Sequence, residues 1–450
     1  MGAPQTRYAK TRDGVHIAYQ VAGTGPVDLV YVPGWISNIE LTWELPDYAS
    51  FMRRLASAYR LIVFDRRGSG ASDHPPNDEA LAFEYGVDDI RAVMDEVGSQ
   101  RAVLFGFEDG APLSAVFTAT YPERTHALVL FAAWARYRQA PDYPWGASEE
   151  ALADWNDHVR HEWGTEDFWR YNLETLAPSY VHDAEFIRVW ARYSRLCASP
   201  GTITAIESVL QQSDVRPVLP VIRVPTLVMN RTGNRSEPLA ESRWICNQIP
   251  GASLVALPGD THPPFMGDTG PVLEALDRFV RAVGDEEAEL DRVLATVMFT
   301  DIVGSTAMSS TLGDREWRAL LERHHAVVRA MLARYRGTEI DTAGDGFFAT
   351  FDGPARGVRC ALAVAEAMRP LGIEIRAGVH TGKVTMIDGK AGGLAVTIGA
   401  RVGAMAEAST VLVFQTVKDL VAGSGLVFED AGEHELKGVP DRWRLFRVAA

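Results

Sequence analysis

Leu294-Ala295-Thr296-Val297-Met298-Phe299-Thr300-Asp301-Ile302-Val303-Gly304-Ser305-Thr306 begins as an apolar, β-branched run and ends in small and polar residues. The first half favours a buried strand, and the second favours a turn into a helix. A long amphipathic stretch, about Asp314 to Tyr335, supplies that helix. The spacing puts the Asp301 carboxylate at a strand end, beside the free N–H groups that open a helix. Such a place suits a metal-bound phosphate.

Further along, Glu339 to Ala343 reads as extended, Gly344-Asp345-Gly346 as a tight turn, and Phe347 to Phe351 as a second strand. Glycines on both sides push the Asp345 carboxylate out of the sheet. Hard cations such as magnesium and manganese take carboxylate oxygen. Two such ions a few ångströms apart activate an attacking oxygen and neutralise a leaving pyrophosphate. An Asp-Gly turn alone is commonly only a turn, so the weight lies on the two aspartates together.

Working outward, the chain has 450 residues, too many for one ordinary core at about 100–200 residues per domain. Its 47% apolar and 23% charged residues describe a globular protein. A net charge of -15 disfavours a nucleic-acid polymer or an anionic membrane as partner and leaves room for a local basic cleft. Cys197, Cys246 and Cys360 have no paired spacing, which fits reduced, buried thiols in the cytoplasm. No signal peptide and no run of about 18 apolar residues is present, so no membrane insertion is expected.

The acidic segment from Gly284 to Asp291 marks a boundary: residues 1–283 form one domain, 284–292 a linker and 293–450 a second domain. The first domain alternates short apolar strands with helical stretches, the pattern of a mainly parallel sheet covered on both faces. Its expected strands are Val27 to Val32, Arg60 to Phe64, Ala102 to Phe105, Ala127 to Phe131, Thr226 to Met229 and Ser253 to Leu257. Between about 134 and 215 this rhythm gives way to a helical insert holding six of the 11 tryptophans. That insert reads either as packed helices or as a lid over an apolar pocket.

The motifs of the second domain occur in the order and spacing of a known family. FTDIVGST at 299–306, TAGDGFFATF at 342–351, RAGVHTG at 376–382, IGARV at 398–402 and ELKG at 435–438 resemble the class III adenylyl and guanylyl cyclases over residues 293 to 448. The resemblance implies a ferredoxin-like βαββαβ core working as a homodimer, with each active site between protomers. It places Asp301, Ile302 and Asp345 at two magnesium or manganese ions per site, and Val303, Gly304, Ser305 and Thr306 around the phosphates. Arg401 of the opposite protomer matches the arginine that stabilises the transferred phosphate, and Lys437 a lysine on the triphosphate. ATP is the implied substrate and cyclic AMP the product.

Three positions depart from that pattern. Asp341 stands where an adenine-reading lysine is expected, Lys390 where its aspartate partner falls, and Thr397 replaces the transition-state asparagine. Either Asp341 and Lys390 form the base-reading pair with charges exchanged, or neither reads the base; Asp388, two residues from Lys390, is the other acid nearby. Broadened selectivity toward GTP and reduced turnover are expected. A cyclase-like module that binds nucleotide without turnover is the competing reading.

The first domain resembles the α/β-hydrolases through VPGW at 32–35, DRRGSGASD at 65–73, GFEDG at 106–110, YPER at 121–124 and GDTH at 259–262. GFEDG has the form of a nucleophile elbow, G-x-S-x-G, with Glu108 in place of serine. His262 matches the histidine of the triad, and Asn234 occupies the expected acid position. With two of three members altered, the domain reads as a sensor for a small apolar ligand or as a scaffold. Hydrolysis would require Glu108 itself to attack.

Overall fold

The computed structural model describes residues 4–74, 81–290, 292–387, 390–439 and 442–449. The chain divides into two compact units, Met1–Val283 and Gly284–Ala450.

In the first unit eight strands, β1 Arg7–Lys10, β2 His16–Ala22, β3 Asp28–Val32, β4 Arg60–Phe64, β5 Ala102–Phe107, β6 Thr125–Phe131, β7 Thr226–Arg231 and β8 Ser253–Leu257, form one sheet in the order β1-β2-β4-β3-β5-β6-β7-β8. From β4 onward the pairs are parallel, whereas β1 and β2 run antiparallel at one edge. The six expected strands are present with slightly different ends. The antiparallel edge was not foreseen, because His16 to Ala22 has no flanking helix to announce it. Strand β5 is buried along its whole length, as a central parallel strand covered on both faces must be.

The insert folds as four helices, Glu149–Glu162, Glu166–Leu176, Ala184–Cys197 and Pro200–Leu210. All four open on a Ser, Thr or Asp whose side chain caps the helix N-terminus: Ser148, Thr165, Asp183 and Ser199. Trp134, Trp163, Trp169 and Trp190 are buried in the main core. Trp35 packs against Trp155, Trp163 and Phe168 at centroid distances of 5.4, 5.0 and 6.2 Å. These tryptophans pack the helices onto the body of the unit.

The segment from 284 to 290, expected as linker, is helical in continuation of Gly270–Leu290; Asp291 lies outside the described residues. No helix among the described residues is long and apolar enough to cross a membrane.

The second unit contains β9 Arg292–Ile302, β10 Thr338–Ala343, β11 Gly346–Phe351, β12 Ile375–Ile387, β13 Lys390–Gly392, β14 Val411–Phe414, β15 Val427–Glu435 and β16 Arg442–Ala449. The sheet order is β10-β11-β9-β12-β14-β16-β15, with β13 paired to β12. Helix Ser305–Tyr335 follows β9, and helix Pro354–Met368 joins β11 to β12, so the first elements run βαββαβ as expected. Gly313 breaks the long helix at φ 75°, so the regular helix begins close to the expected Asp314. Helix Leu394–Met405 lies close against β12: a Cβ on Gly378 would come within 2.1 Å of the Gly403 backbone nitrogen. Only glycine allows that approach, and it fixes the height of the helix carrying Thr397 and Arg401.

Candidate functional site

Asp301 sits one residue before the end of β9, paired with Arg376 of β12, while its neighbour Thr300 pairs with Phe347 of β11. Register puts Arg376 beside the carboxylate: its Nε and Nη2 donate to Asp301 Oδ2 at 3.0 and 2.5 Å, and its Nη1 donates to the Ala404 carbonyl at 3.1 Å. Both contacts fall on one oxygen, leaving Oδ1 free for a ligand. Asp345 occupies the β10–β11 turn, and its Oδ2 is buried without a hydrogen-bond partner. A desolvated carboxylate oxygen with no donor is costly unless something cationic or protic meets it. The two aspartates therefore fit a hard-cation site. No group of three His, Cys, Asp or Glu side chains among the described residues forms a fuller cage, so further ligands would come from backbone, substrate or water.

Next to Asp301 opens a cavity of about 300 Å³, lined among others by Phe299, Asp341, Phe348 and Arg376. Phe299 and Phe348 stack at 4.5 Å with ring planes 6° apart, giving one wall an aromatic surface. Helix Ser305–Tyr335 starts from Gly304 at φ 71°. The Val303 N–H already donates to the Glu374 carbonyl at 2.9 Å, whereas the Ser305, Thr306 and Ala307 N–H groups of the first turn have no partner among the described residues.

Other expected residues do not converge within one chain. Thr397 and Arg401 are exposed, one turn apart on helix Leu394–Met405, while Ala400, Gly403 and Ala404 of that helix line the cavity. Lys437 is exposed after β15, and Lys390 is exposed at the start of β13. No ion pair joins Lys390 to Asp341, whose Oδ1 instead accepts the Thr342 N–H at 2.9 Å. Asp388 lies outside the described residues.

In the first unit, Glu108 stands at the end of β5 with φ 52°, a left-handed conformation that costs a non-glycine residue about 1–2 kcal/mol. This is the backbone of a nucleophile elbow. Glu108 Oε2 accepts the Trp35 N–H at 3.3 Å, and Oε1 lies 3.6 Å from His262 Nε2. The acid expected at Asn234 is supplied instead by Glu237, whose Oε2 lies 2.6 Å from His262 Nδ1. Asn234 shapes the loop: its amide donates to Asn230 Oδ1 at 2.9 Å, and its Oδ1 accepts the Ser236 N–H at 3.0 Å. That turn carries Glu237 back to the histidine. Asn234 itself lies against the same ring, its Nδ2 3.3 Å from His262 Nδ1, so the acid position stays altered in sequence while a nearby glutamate reaches the imidazole.

His262 is 1% exposed. Burial alone would lower its pKa, but Glu237 and then Glu108 outweigh it and hold the imidazole up at about 10. Burial pushes Glu207 up to about 7.

The family described as alpha/beta hydrolase fold matches residues 29–269, more than half of the chain. The family described as adenylate and guanylate cyclase catalytic domain matches residues 288–449. The chain belongs to the alpha/beta hydrolase fold family and carries a C-terminal nucleotide cyclase catalytic domain.

The hydrolase-fold domain is similar to a pimeloyl-[acyl-carrier protein] methyl ester esterase of Nitrosomonas europaea, 27% identical over 56% of this chain and 94% of that protein. It shares its fold with an esterase from Exiguobacterium antarcticum, 22% identical over 62% of this chain and all of that one, with a TM-score of 0.55. The adenylyl cyclase CyaB from P. aeruginosa is 23% identical over 35% of this chain and 95% of its own, with a TM-score of 0.34.

Two residues of these sites escaped the sequence reading. Arg376 stood inside a motif already singled out, and only strand register reveals that it faces Asp301. Glu237 lies three residues beyond the expected acid, and spacing alone could not choose between them.

Proposed function

We propose that this protein converts ATP, and with relaxed selectivity GTP, into the 3′,5′-cyclic nucleotide and pyrophosphate, as a cytoplasmic homodimer whose output is regulated by its hydrolase-fold domain. The reading rests on Asp301 and Asp345, each with an unengaged carboxylate oxygen, and on the cavity that Asp301 lines, in a domain that matches the cyclase family. Two magnesium or manganese ions at these aspartates and the Ile302 carbonyl would supply charge neutralisation of the triphosphate.

The chain's own residues bind and orient. The Phe299–Phe348 wall offers a face on which a purine stacks. Asp341 lines the cavity and no lysine among the described residues does, so the base meets no lysine donor there, which supports weak base selectivity. Ser305 and Thr306 N–H groups receive phosphate oxygens, and Arg376 adds a cation at the same side. The substrate's 3′-oxygen then attacks the α-phosphorus, the bond to the β-phosphate oxygen breaks, and the hydroxyl proton passes to solvent.

Arg401 and Thr397, exposed and outside the cavity of their own chain, are read as reaching the cavity of a second copy. There Arg401 stabilises charge on the α-phosphate and Thr397 adds a shorter donor than asparagine. Lys437 is assigned to the triphosphate. His262, holding its proton between two carboxylates, is not available as a base, which favours regulation over hydrolysis for the first domain.

Mixing Asp301→Ala with Arg401→Ala protein tests the shared site. Each alone should be inactive, and the mixture should regain up to about half of the wild-type sites per heterodimer. No recovery from two folded, exchanging variants would refute it.

A further inference from the structure

The turn that presents Asp345 is held by a side chain from outside the hairpin. His325, on helix Ser305–Tyr335, places its Nε2 2.9 Å from the Gly344 carbonyl oxygen. Since a carbonyl only accepts, Nε2 carries the proton in this contact. The same imidazole stands edge-on to Phe347 at 5.1 Å and 82°. Phe347 pairs with Thr300, next to Asp301. One ring thus touches the residue before Asp345 and a strand residue tied to the Asp301 side of the site.

One turn further along the helix, Arg329 donates to both carboxylate oxygens of Glu339 at 2.8 Å, near the start of the hairpin. The helix therefore grips the hairpin at its base through Arg329 and at its tip through His325. The tip needs that grip: Gly344 adopts φ 63°, Gly346 follows Asp345, and glycine on both sides gives the turn wide conformational freedom. Asp345 Oδ2 makes no hydrogen bond of its own, so no donor on that oxygen holds its direction and the turn backbone has to aim it.

We propose that His325 is a positioning residue for Asp345: its N–H to the Gly344 carbonyl fixes the turn so that the carboxylate is aimed beside Asp301. This inference rests on the metal-site reading above. Outer groups that orient a metal-binding carboxylate typically contribute 10–100-fold in metal affinity or activity, although they touch no metal.

The test uses the full chain without nucleotide and reads free Mn²⁺ by electron paramagnetic resonance, alongside thermal unfolding. His325→Phe keeps a ring against Phe347 and loses the donor, whereas His325→Gln keeps an N–H donor. The expected result is roughly tenfold weaker Mn²⁺ binding in His325→Phe. His325→Gln should stay within about threefold of wild type, and unfolding of both should be unchanged, because water can satisfy the exposed Gly344 carbonyl.

Wild-type affinity in His325→Phe, while Asp345→Asn loses binding, would overturn the proposal alone. Equal losses in the Phe and Gln variants would also overturn it, since the donor would then not matter. Mn²⁺ binding indifferent to both Asp301→Asn and Asp345→Asn would overturn the metal reading, and this inference with it.

Discussion

Replacing Glu237 by glutamine removes the nearer of the two carboxylates beside His262, at 2.6 Å, and leaves Glu108 at 3.6 Å. The wild-type imidazole is raised from 6.5 to about 10 despite full burial, which corresponds to roughly 5 kcal/mol favouring the protonated folded form. Glu237 is the stronger of the two influences raising it. A loss of about 3 kcal/mol is therefore expected, in line with the cost of breaking a buried ion pair.

The sign with pH follows from linkage. His262 binds its proton more tightly folded than unfolded, so its stabilisation is complete below about pH 6.5 and disappears as pH rises through about 10. Urea unfolding of the hydrolase-fold domain, followed by tryptophan fluorescence, should show the deficit of Glu237→Gln near pH 6. It should shrink below about 1 kcal/mol above pH 10. A deficit under about 0.5 kcal/mol, or one independent of pH, would refute the charged His262–Glu237 pair.

Glu108→Ser should convert the closed site into a working one. The substitution restores a hydroxyl near His262, frees the Trp35 N–H for an oxyanion, and removes one of the two charges that keep the imidazole protonated. Hydrolysis of p-nitrophenyl acetate checks it, with turnover expected in the variant and none in wild type. In the cyclase domain, Thr397→Asn should raise turnover about 10-fold with little change in nucleotide KM, since the longer amide acts on charge that develops in the transition state; initial rates over a nucleotide titration separate the two parameters.

The carboxylates of the cyclase domain were legible because both depend on local chemistry. Asp301 ends an apolar run before small residues, and Asp345 is flanked by glycines. Short-range pattern decides such features. Arg376 and His325 act across the sheet or from a helix to a turn, and their role depends on register and crossing geometry that no spacing encodes. The same limit explains Glu237: the turn set by Asn230, Asn234 and Ser236 carries it back onto His262.

The lid tryptophans could be counted but not placed, because an aromatic-rich helix reads alike whether it packs a core or roofs a cavity. The charge exchange between Asp341 and Lys390 was visible as composition. Its outcome, with no ion pair between them, required the position of β13 relative to β10.

The central claim is most directly tested by incubating the purified full chain with ATP or GTP and manganese, quantifying cyclic nucleotide against Asp301→Ala and Asp345→Ala. Cyclic product from wild type with either purine, lost in both variants, is the predicted result. No product from folded wild-type dimer, or equal product from wild type and variants, would contradict it.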